Sequence, residues 1–334
     1  MRLENVLALT QGSLTNDPSV TSFDGITFNA KKVKRGNLFI AYEPSSIEEA
    51  VLNGAYGIIF DRPTQISDSE IAWIKVTSVE DAMMRLLRFH LLEKELEVYQ
   101  CDPITLKLAQ QIMTPYNFLV LDGNTTDVFK ELWYCDDGIT VLFSPELTDT
   151  DIFTTINAIP ELVTSSITII EQTLFETSFI FDDIFYERQV LSPFFIPFLE
   201  RLLDFMKKKQ IDFRLRSFHA IPHFEPVFTN ARFEPQDFGE SDKVLIFEPS
   251  IALVESQIHF LQQQALWANL IYILPANASF SMHDNANAYY YSSEEEVFDL
   301  LRSHFFHFAL IAGLDRSFLE NSVPNVPQQL TLGI

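Results

Sequence analysis

The chain has 334 residues, a length that accommodates two or three domains of the usual size. Its 23 Lys and Arg residues are outnumbered by 46 Asp and Glu residues, so the formal net charge is −23. This charge repels phosphate backbones and anionic lipids, which argues against a nucleic acid partner and against membrane insertion. Apolar residues make up 47% of the chain, which excludes a disordered acidic protein.

Glycine and cysteine usage excludes further classes of site. Only 10 glycines are present, and none has the spacing of GxxxxGK[ST] or GxGxxG, so neither glycine-rich phosphate-binding loop can form. Cys101 and Cys135 are too few for a disulfide framework or a four-cysteine zinc site and favour a reducing compartment. With no cleavable signal sequence in MRLENVLALT and no long apolar run, we expect a cytoplasmic protein.

Residues 1–95 are predicted to form the first of three α/β units. Ser45 and Glu48 form a capping box for a predicted helix that ends near Gly54, and the apolar stripe of Val79–Leu92 predicts a second helix. Gly36 is suited to a turn. Strands are predicted at Ile26–Phe28, Leu38–Tyr42 and Tyr56–Phe60.

Residues 96–212 and 213–334 are predicted to form the second and third units. In the second, helices at 103–113 and 125–134 alternate with strands at 117–123 and 139–146. A less regular stretch then runs to about Tyr186, and a helix begins at Pro197. In the third, strands at 242–250, 269–275 and 307–313 alternate with helices at 251–268 and 292–305. This alternation predicts an α/β fold with parallel, doubly wound sheets.

The histidines form two close pairs, and both are interpreted as structural. His219 and His223 are four residues apart, but Pro222 interrupts the helix that would align them. His304 and His307 flank two phenylalanines. No carboxylate or thiolate is spaced to complete a metal site with either pair.

Other charged or nucleophilic groups also have structural alternatives. The acidic neighbours of Cys135 disfavour a thiolate. Asp182 and Asp183 could form a carboxylate pair, but adjacent strand residues point to opposite faces. A basic cluster could face an anionic ligand or form a solvated turn; it consists of Lys31, Lys32, Lys34 and Arg35.

The segment ITFNAKKVKRGNLFIAYEPSSIEEAVLNGAYGIIFD at 26–61 resembles a known domain. Its Gly36, Leu38-Phe39, Ala41 and Asn53-Gly54-Ala55 are similar to the uridine-nucleotide-binding domain that opens the Mur ligases. These bacterial enzymes add amino acids to UDP-MurNAc during peptidoglycan synthesis. Phe28-Asn29-Ala30 replaces the family's Asp-Ser-Arg triplet, and the following loop is shortened to EPSS.

The segment FLVLDGNTTDVFKEL at 118–132 resembles the strand, phosphate loop and helix of the family's central domain, and the order of motifs is closest to the ligase that adds D-alanyl-D-alanine. Its loop is a degenerate form of Gly-(Ser/Thr)-Asn-Gly-Lys-Thr-Thr without the second Gly and the Lys. The resemblance therefore implies loss of ATP binding. The family's magnesium ligands and carbamylated lysine belong to a part that is missing between about residues 146 and 175. The loop comprises Asp122, Gly123, Asn124, Thr125 and Thr126.

The C-terminal third resembles the last domain of the same ligases. Arg232, in FTNARFEP, occupies the place of a Gly-Arg that opens that domain and could face a ligand. VLIFEPSIALVESQIHFLQ at 244–262 resembles its strand, Asn-Pro-x-Ser turn and helix. In LIAGLDRSFLE, Ala312 and Asp315 replace the family's Lys and Arg. The three units are thus expected to be an N-terminal-like domain (1–95), a truncated central domain (96–212) and a C-terminal-like domain (213–334).

Three functions are compatible with these features. A Mur-ligase-like pseudoenzyme would need no cofactor and would act by binding a cell-wall precursor or synthesis enzyme. A divergent enzyme could use the inter-domain cleft without ATP, and an interaction or scaffold protein could be unconnected to peptidoglycan. The net charge of −23 predicts a protein partner with a basic surface, unless the charge only keeps a phenylalanine-rich chain in solution.

Overall fold

The computed structural model describes residues 1–148, 150–162, 165–237, 241–280 and 287–322. These residues form two compact units. The first contains Met1–Leu106 and Thr114–Ile159, and the second contains Lys107–Met113 and the chain from Pro160 onward. Across the described ranges, no helix is both long and apolar enough to cross a membrane. The domain boundaries predicted after residues 95 and 212 remain predictions.

Two sheets and their helices make up the chain before residue 160. The first sheet has the order β1-β5-β4-β3-β2, with β1 antiparallel and the others parallel. The second has the order β7-β8-β6-β9 and is parallel throughout. The elements in chain order are α1 (Leu3–Thr10), β1 (Ser13–Leu14), β2 (Gly25–Thr27), β3 (Asn37–Ile40), α2 (Ile47–Leu52), β4 (Gly57–Phe60), β5 (Ala72–Lys75), α3 (Val79–Leu91), β6 (Glu97–Gln100), α4 (Pro103–Ala109), β7 (Phe118–Leu121), α5 (Thr125–Tyr134), β8 (Thr140–Phe143) and β9 (Asn157–Ala158).

The chain after residue 160 forms an antiparallel sheet and a mixed sheet. The antiparallel sheet has the order β10-β11-β12, and the mixed sheet has the order β13-β14-β17-β15-β16 with only β13 antiparallel. The elements are β10 (Thr168–Gln172), β11 (Thr177–Phe181), β12 (Ile184–Gln189), α6 (Ile196–Lys208), β13 (Glu225–Thr229), β14 (Lys243–Glu248), α7 (Ile251–Gln264), β15 (Leu270–Pro275), β16 (Ala288–Tyr291), α8 (Glu294–Ser303), β17 (Phe308–Ala312) and α9 (Ser317–Ser322).

Apolar side chains cover both faces of the first sheet. One face shares a core with the second sheet, and α3 and α5 contribute to that core. The opposite face packs around Phe39, Ile58 and Trp73 together with Ala50 of α2. Parallel strands that are buried on both sides carry continuous apolar runs, which is why β4 reads GIIF and is buried at all four positions.

The α/β class with parallel sheets is confirmed, and several predicted elements have nearly the predicted bounds. α5 occupies Thr125–Tyr134 as predicted, and α3 ends one residue earlier than predicted. Gly36 has φ +94° in the predicted turn, and Gly54 has φ +93° just after α2. Left-handed backbone is accessible to glycine without a steric penalty, so both glycines end or reverse an element as expected.

Two predictions about helices are wrong. A short 3₁₀ helix at Pro44–Ser46 precedes α2, and the Ser46 hydroxyl donates to the Glu43 carbonyl, so Ser45 and Glu48 form no capping box. The helix predicted over 103–113 ends at Ala109. A 3₁₀ turn at Pro193–Phe195 leads directly into α6, which begins at Ile196, one residue before the predicted start.

Part of the stretch interpreted as less regular forms strands. It contains β10, β11 and the start of β12; β10 is exposed at all five positions, and its pairing with β11 shifts register between Ile169 and Glu171. Strands without a clean alternation of apolar and polar residues give little signal in the sequence.

Burial predicts unequal effects for two leucines in helices of the first unit. Leu86 in α3 is 0% exposed, whereas Leu52 in α2 is 80% exposed. Leu86→Ala should lower the free energy of unfolding by about 2–5 kcal/mol, because it leaves a cavity in the shared core. Leu52→Ala is the matched control and should change it by less than about 0.5 kcal/mol. Urea unfolding of both variants measures the difference; equal effects would contradict the described packing.

Candidate functional site

The degenerate phosphate loop lies between β7 and α5 in the first unit. Gly123 has φ +140°, which turns the chain from the strand into the helix. Asn124 is the N-cap of α5, and its Oδ1 accepts hydrogen bonds from the backbone N–H groups of Thr126 at 3.0 Å and Asp127 at 3.1 Å. A phosphate bound at a helix N-terminus needs such N–H groups as donors. At this helix the chain's own amide side chain occupies two of them.

Negative charge surrounds the same helix end. Lys130 is one turn into α5, but its ammonium group is paired with the Asp127 carboxylate at 3.2 Å. Partial burial raises the pKa of Glu131, and the nearby carboxylates of Asp127 and Asp122 raise it further. The carboxylates of Asp122 and Asp127 beside Glu131 place negative charge near this helix end, which opposes the binding of a triphosphate.

The first sheet supplies side chains that cover this loop. Tyr42, just after β3, lies near the Thr126 side chain, and its hydroxyl donates to Met83 Sδ at 3.6 Å. Burial raises the pKa of Tyr42 above the usual range for tyrosine. Lys130 lies over the ring of Phe28 at 5.1 Å, and Phe28 packs edge-to-face against Phe129 at 5.8 Å.

The basic cluster forms a well-defined turn after β2. Asn29 Oδ1 accepts a hydrogen bond from Lys31 N at 3.1 Å, and Asn37 Oδ1 accepts one from Lys34 N at 2.8 Å. Arg35 Nε donates to the Tyr56 hydroxyl at 3.0 Å. All four cationic side chains, including Lys32, are exposed. The fold thus brings Lys31, Lys34 and Arg35 together on one surface of the first unit, where they could face an anion.

Arg232 lies in the second unit, in the connection between β13 and β14. Asn230 Oδ1 accepts hydrogen bonds from the backbone N–H groups of Arg232 at 2.8 Å and Glu234 at 3.1 Å, so the segment is a fixed turn. The Arg232 side chain is exposed. Its role in ligand binding remains a prediction.

The two histidine pairs occupy different environments. His223 is buried, whereas His219 is exposed. The His304 ring lies 3.7 Å from that of Tyr289, and His307 Nδ1 accepts a hydrogen bond from Asn269 N at 2.9 Å. In the described part of the chain, no group of three His, Cys, Asp or Glu side chains could hold a metal ion.

The remaining candidates are resolved by local geometry. Burial raises the pKa of the Cys135 thiol; Lys94, 3.8 Å from Sγ, opposes this shift, and Asp136 reinforces it. The strand assignment of Asp182 and Asp183 is wrong: they are the two residues of the β11–β12 turn, with φ +49° and +61°. Aspartate tolerates this left-handed backbone, which suits a two-residue hairpin turn.

A buried carboxylate at the end of β14 was missed by the sequence analysis. Glu248 is 0% exposed and accepts hydrogen bonds from His223 Nδ1 at 2.8 Å, Phe224 N at 3.1 Å and Ser250 N at 2.8 Å. The side-chain amide of Gln257, in α7, also donates to it. The sequence signal for this site is a glutamate that directly follows the apolar run VLIF. A charged residue at the end of a buried strand indicates buried partners, because charged residues are rarely buried without them.

A recess of about 740 Å³ lies at the carboxyl ends of β14, β15, β16 and β17. In doubly wound sheets this edge is the usual position of a ligand. Gly313 has φ +81° beside it, and a Cβ there would lie 3.0 Å from the Tyr291 hydroxyl. Among the described residues, no cationic side chain lines the recess, and α8 begins there with three glutamates, so the charge of these residues favours a neutral or cationic group over a phosphate.

The Glu248 network predicts a large loss of stability when its acceptor is removed. Glu248→Ala leaves buried donors without a partner and should lower the free energy of unfolding by about 3 kcal/mol. Glu295→Ala, at an exposed carboxylate of α8, is the control and should have little effect. Thermal and urea unfolding measure both variants; a Glu248→Ala protein as stable as the control would show that the network contributes nothing.

Comparison with known proteins gives matches only among solved structures. No protein-family model matches the sequence, and no curated protein matches it. MurF from Acinetobacter baumannii is similar with a TM-score of 0.48 and 10% identity, over 93% of this chain and 95% of that one. The UDP-N-acetylmuramoylalanyl-D-glutamyl-2,6-diaminopimelate–D-alanyl-D-alanyl ligase of the same organism has a TM-score of 0.46 and 10% identity, over 96% of both chains.

A third structure is the MurF ligase of Thermotoga maritima in complex with ADP, with a TM-score of 0.43 and 13% identity over 89% of this chain and 95% of that one. Over most of its length the chain is thus similar to MurF-type Mur ligases, the family that its sequence resembles. With TM-scores below 0.5, the activities of those proteins do not follow for this chain.

Proposed function

We propose that the chain is a Mur-ligase-like protein that acts by binding a cell-wall precursor or a cell-wall synthesis enzyme, without ATP-dependent ligation. The observation that carries this proposal is the closed N-terminus of α5. Asn124 Oδ1 accepts from two of the N–H groups that a phosphate would need. Asp127 pairs with the lysine of the first turns, and no lysine lies within the loop itself.

Ligation through an acyl phosphate needs a held γ-phosphate, a magnesium ion and cationic groups that stabilise developing charge. The loop is surrounded by negative instead of positive charge, because Asp122, Asp127 and Glu131 lie close together. The sequence resemblance adds that the family's lysine and second glycine are absent from this loop. These features support the loss of nucleotide chemistry on a retained scaffold.

ATP–Mg²⁺ is therefore expected not to bind. Isothermal titration calorimetry of this chain with ATP–Mg²⁺ should give no saturable heat. The Thermotoga maritima MurF, whose structure was solved with ADP, is titrated over the same concentrations as a positive control. The physical reason is the occupied helix N-terminus and the absence of a free lysine at the loop.

Two results would contradict this expectation. One is a micromolar dissociation constant for ATP–Mg²⁺. The other is ATP hydrolysis that Thr125→Ala abolishes, because Thr125 is the first residue of α5 and would contact a phosphate or its magnesium ion in a working loop.

The first unit is expected to bind UDP-MurNAc peptides weakly or not at all. The turn that carries Lys31 and Lys34 is intact, but Arg35 is already hydrogen-bonded to Tyr56. Phe28, Asn29 and Ala30 stand where the family has its Asp-Ser-Arg triplet. Saturation-transfer NMR should show at most weak uridine contacts.

The matched variants are Lys34→Glu, in the turn, and Lys75→Glu, an exposed lysine at the end of β5. This part of the proposal is contradicted if the unmodified chain shows tight uridine contacts that Lys34→Glu removes and Lys75→Glu retains. The first unit would then be a functional uridine-nucleotide-binding domain.

The proposed protein partner has a basic surface. A net charge of −23 attracts such a surface and repels anions over most of the chain. The exposed cations of the Lys31–Arg35 turn would then be a local exception, at which a precursor could still be held.

A further inference from the structure

A second concentration of positive charge lies in the second unit, at residues that the proposed function does not use. A recess of about 870 Å³ separates the segment after α4 from the segment after α6. The residues that matter for its chemistry are Gln111, Met113, Arg214, Arg216, Ser217 and His219. Its volume lies in the range of about 300–1,000 Å³ that small-molecule sites occupy.

Hydrogen bonds between the two segments fix the walls of this recess. Met113 and Arg214 exchange two backbone hydrogen bonds of 3.0 Å. The Gln111 side chain donates to the His219 carbonyl at 3.0 Å and accepts from His219 N at 2.7 Å. The recess is therefore held at both ends, and a ligand need not order it.

The extended segment that carries the arginines is anchored by buried apolar side chains. Leu215, Phe218 and Ile221 are 6%, 2% and 5% exposed, and Phe218 N donates to the Gln189 side chain at 3.0 Å. Arg214 and Arg216 lie on either side of the buried Leu215, so both point to the exposed face of the segment. Two exposed arginines, two residues apart in an extended segment, are thus carried by an anchored backbone.

The charge at this position differs from that of the chain as a whole. Although acidic residues are twice as numerous as basic ones, none of the described residues that line the recess is a carboxylate. Within the same described part of the chain, neither Arg214 nor Arg216 forms an ion pair. Arg214 also borders an adjacent recess with Asp212 and Asp182, of which Asp182 is paired with Lys207 at 2.5 Å.

We propose that this recess binds a small ligand with two neighbouring anionic groups, either phosphates or carboxylates. Each guanidinium can bind one such group through two parallel hydrogen bonds, a geometry that lysine cannot reproduce. Ser217 and His219 supply further polar groups at the same surface. The proposal does not depend on the function proposed above, because it concerns different residues in the other unit.

Calorimetric titration of the full chain with inorganic pyrophosphate and, separately, with succinate tests the proposal. Binding of either probe is expected, and Arg214→Gln/Arg216→Gln should weaken it about tenfold or more. Pyrophosphate binding alone assigns the site to phosphates, and succinate binding alone assigns it to dicarboxylates. Both arginines are exposed, so circular dichroism of the double variant should match that of the unmodified chain.

Two controls locate the binding. Arg302→Gln changes an exposed arginine of α8 that is paired with Asp299, and Lys31→Gln/Lys34→Gln changes the basic turn of the first unit. Arg302→Gln should leave the affinity of the probe unchanged, and the Lys31/Lys34 variant measures separately any binding of the probe at the basic turn. The proposal is wrong if neither probe binds at millimolar concentration, or if the Arg214/Arg216 variant retains the affinity of the unmodified chain.

Discussion

The need to cover both faces of each parallel sheet governs the arrangement of this chain. In the first unit, α3 and α5 contribute to a core that is shared by two sheets, and α2 with its neighbours covers the far side of the first sheet. Strands in such sheets are buried along their length, so their side chains are committed to packing. Polar chemistry is confined to the loops at the carboxyl ends of the strands and to segments that cross the surface between elements.

Because polar groups are confined to loops, the N-termini of the helices that follow those loops are the positions where a ligand could bind. The first N–H groups of a helix lack partners within the helix and donate either to a ligand or to an acceptor from the chain. At α5 the acceptor is Asn124, whereas Ser293, the N-cap of α8, makes no side-chain hydrogen bond to that helix. Both helices carry acidic residues in their first turns, which disfavour an anion there. Exposed cations cluster instead in the Lys31–Arg35 turn and at Arg214 and Arg216.

Local signals predicted the parts of the fold that are determined locally. α5 could be predicted because its apolar residues repeat with the helical period, and the structure adds Asn124 as its N-cap. Gly36 could be placed in a turn because glycine is favoured there, and its backbone is indeed left-handed. The hairpin turn at Asp182 and Asp183 escaped because Asp-Asp is a weaker turn signal than Asn-Gly or Asp-Gly.

Features that join distant residues could not be read from the sequence. The partners of Glu248 come from His223 on one side and Gln257 on the other, and neither spacing is diagnostic. The arginine-lined recess depends on Gln111 meeting His219, which is 108 residues away along the chain. In the sequence these positions look like ordinary polar residues of connecting segments.

The negative charge of the chain protects the exposed strand β10 from pairing with a second molecule. β10 forms one edge of its sheet, and Ile169 and Ile170 on it are 40% and 56% exposed. Such an edge is a template for strand pairing between molecules, which a register shift and a charged residue such as Glu171 only partly discourage. At neutral pH, two copies that each carry a charge of −23 repel one another before their edges meet. Near the isoelectric point of about 4.5 the net charge approaches zero, so this repulsion is weakest while the edge strand persists, and pairing between the β10 edges of two molecules is least opposed there.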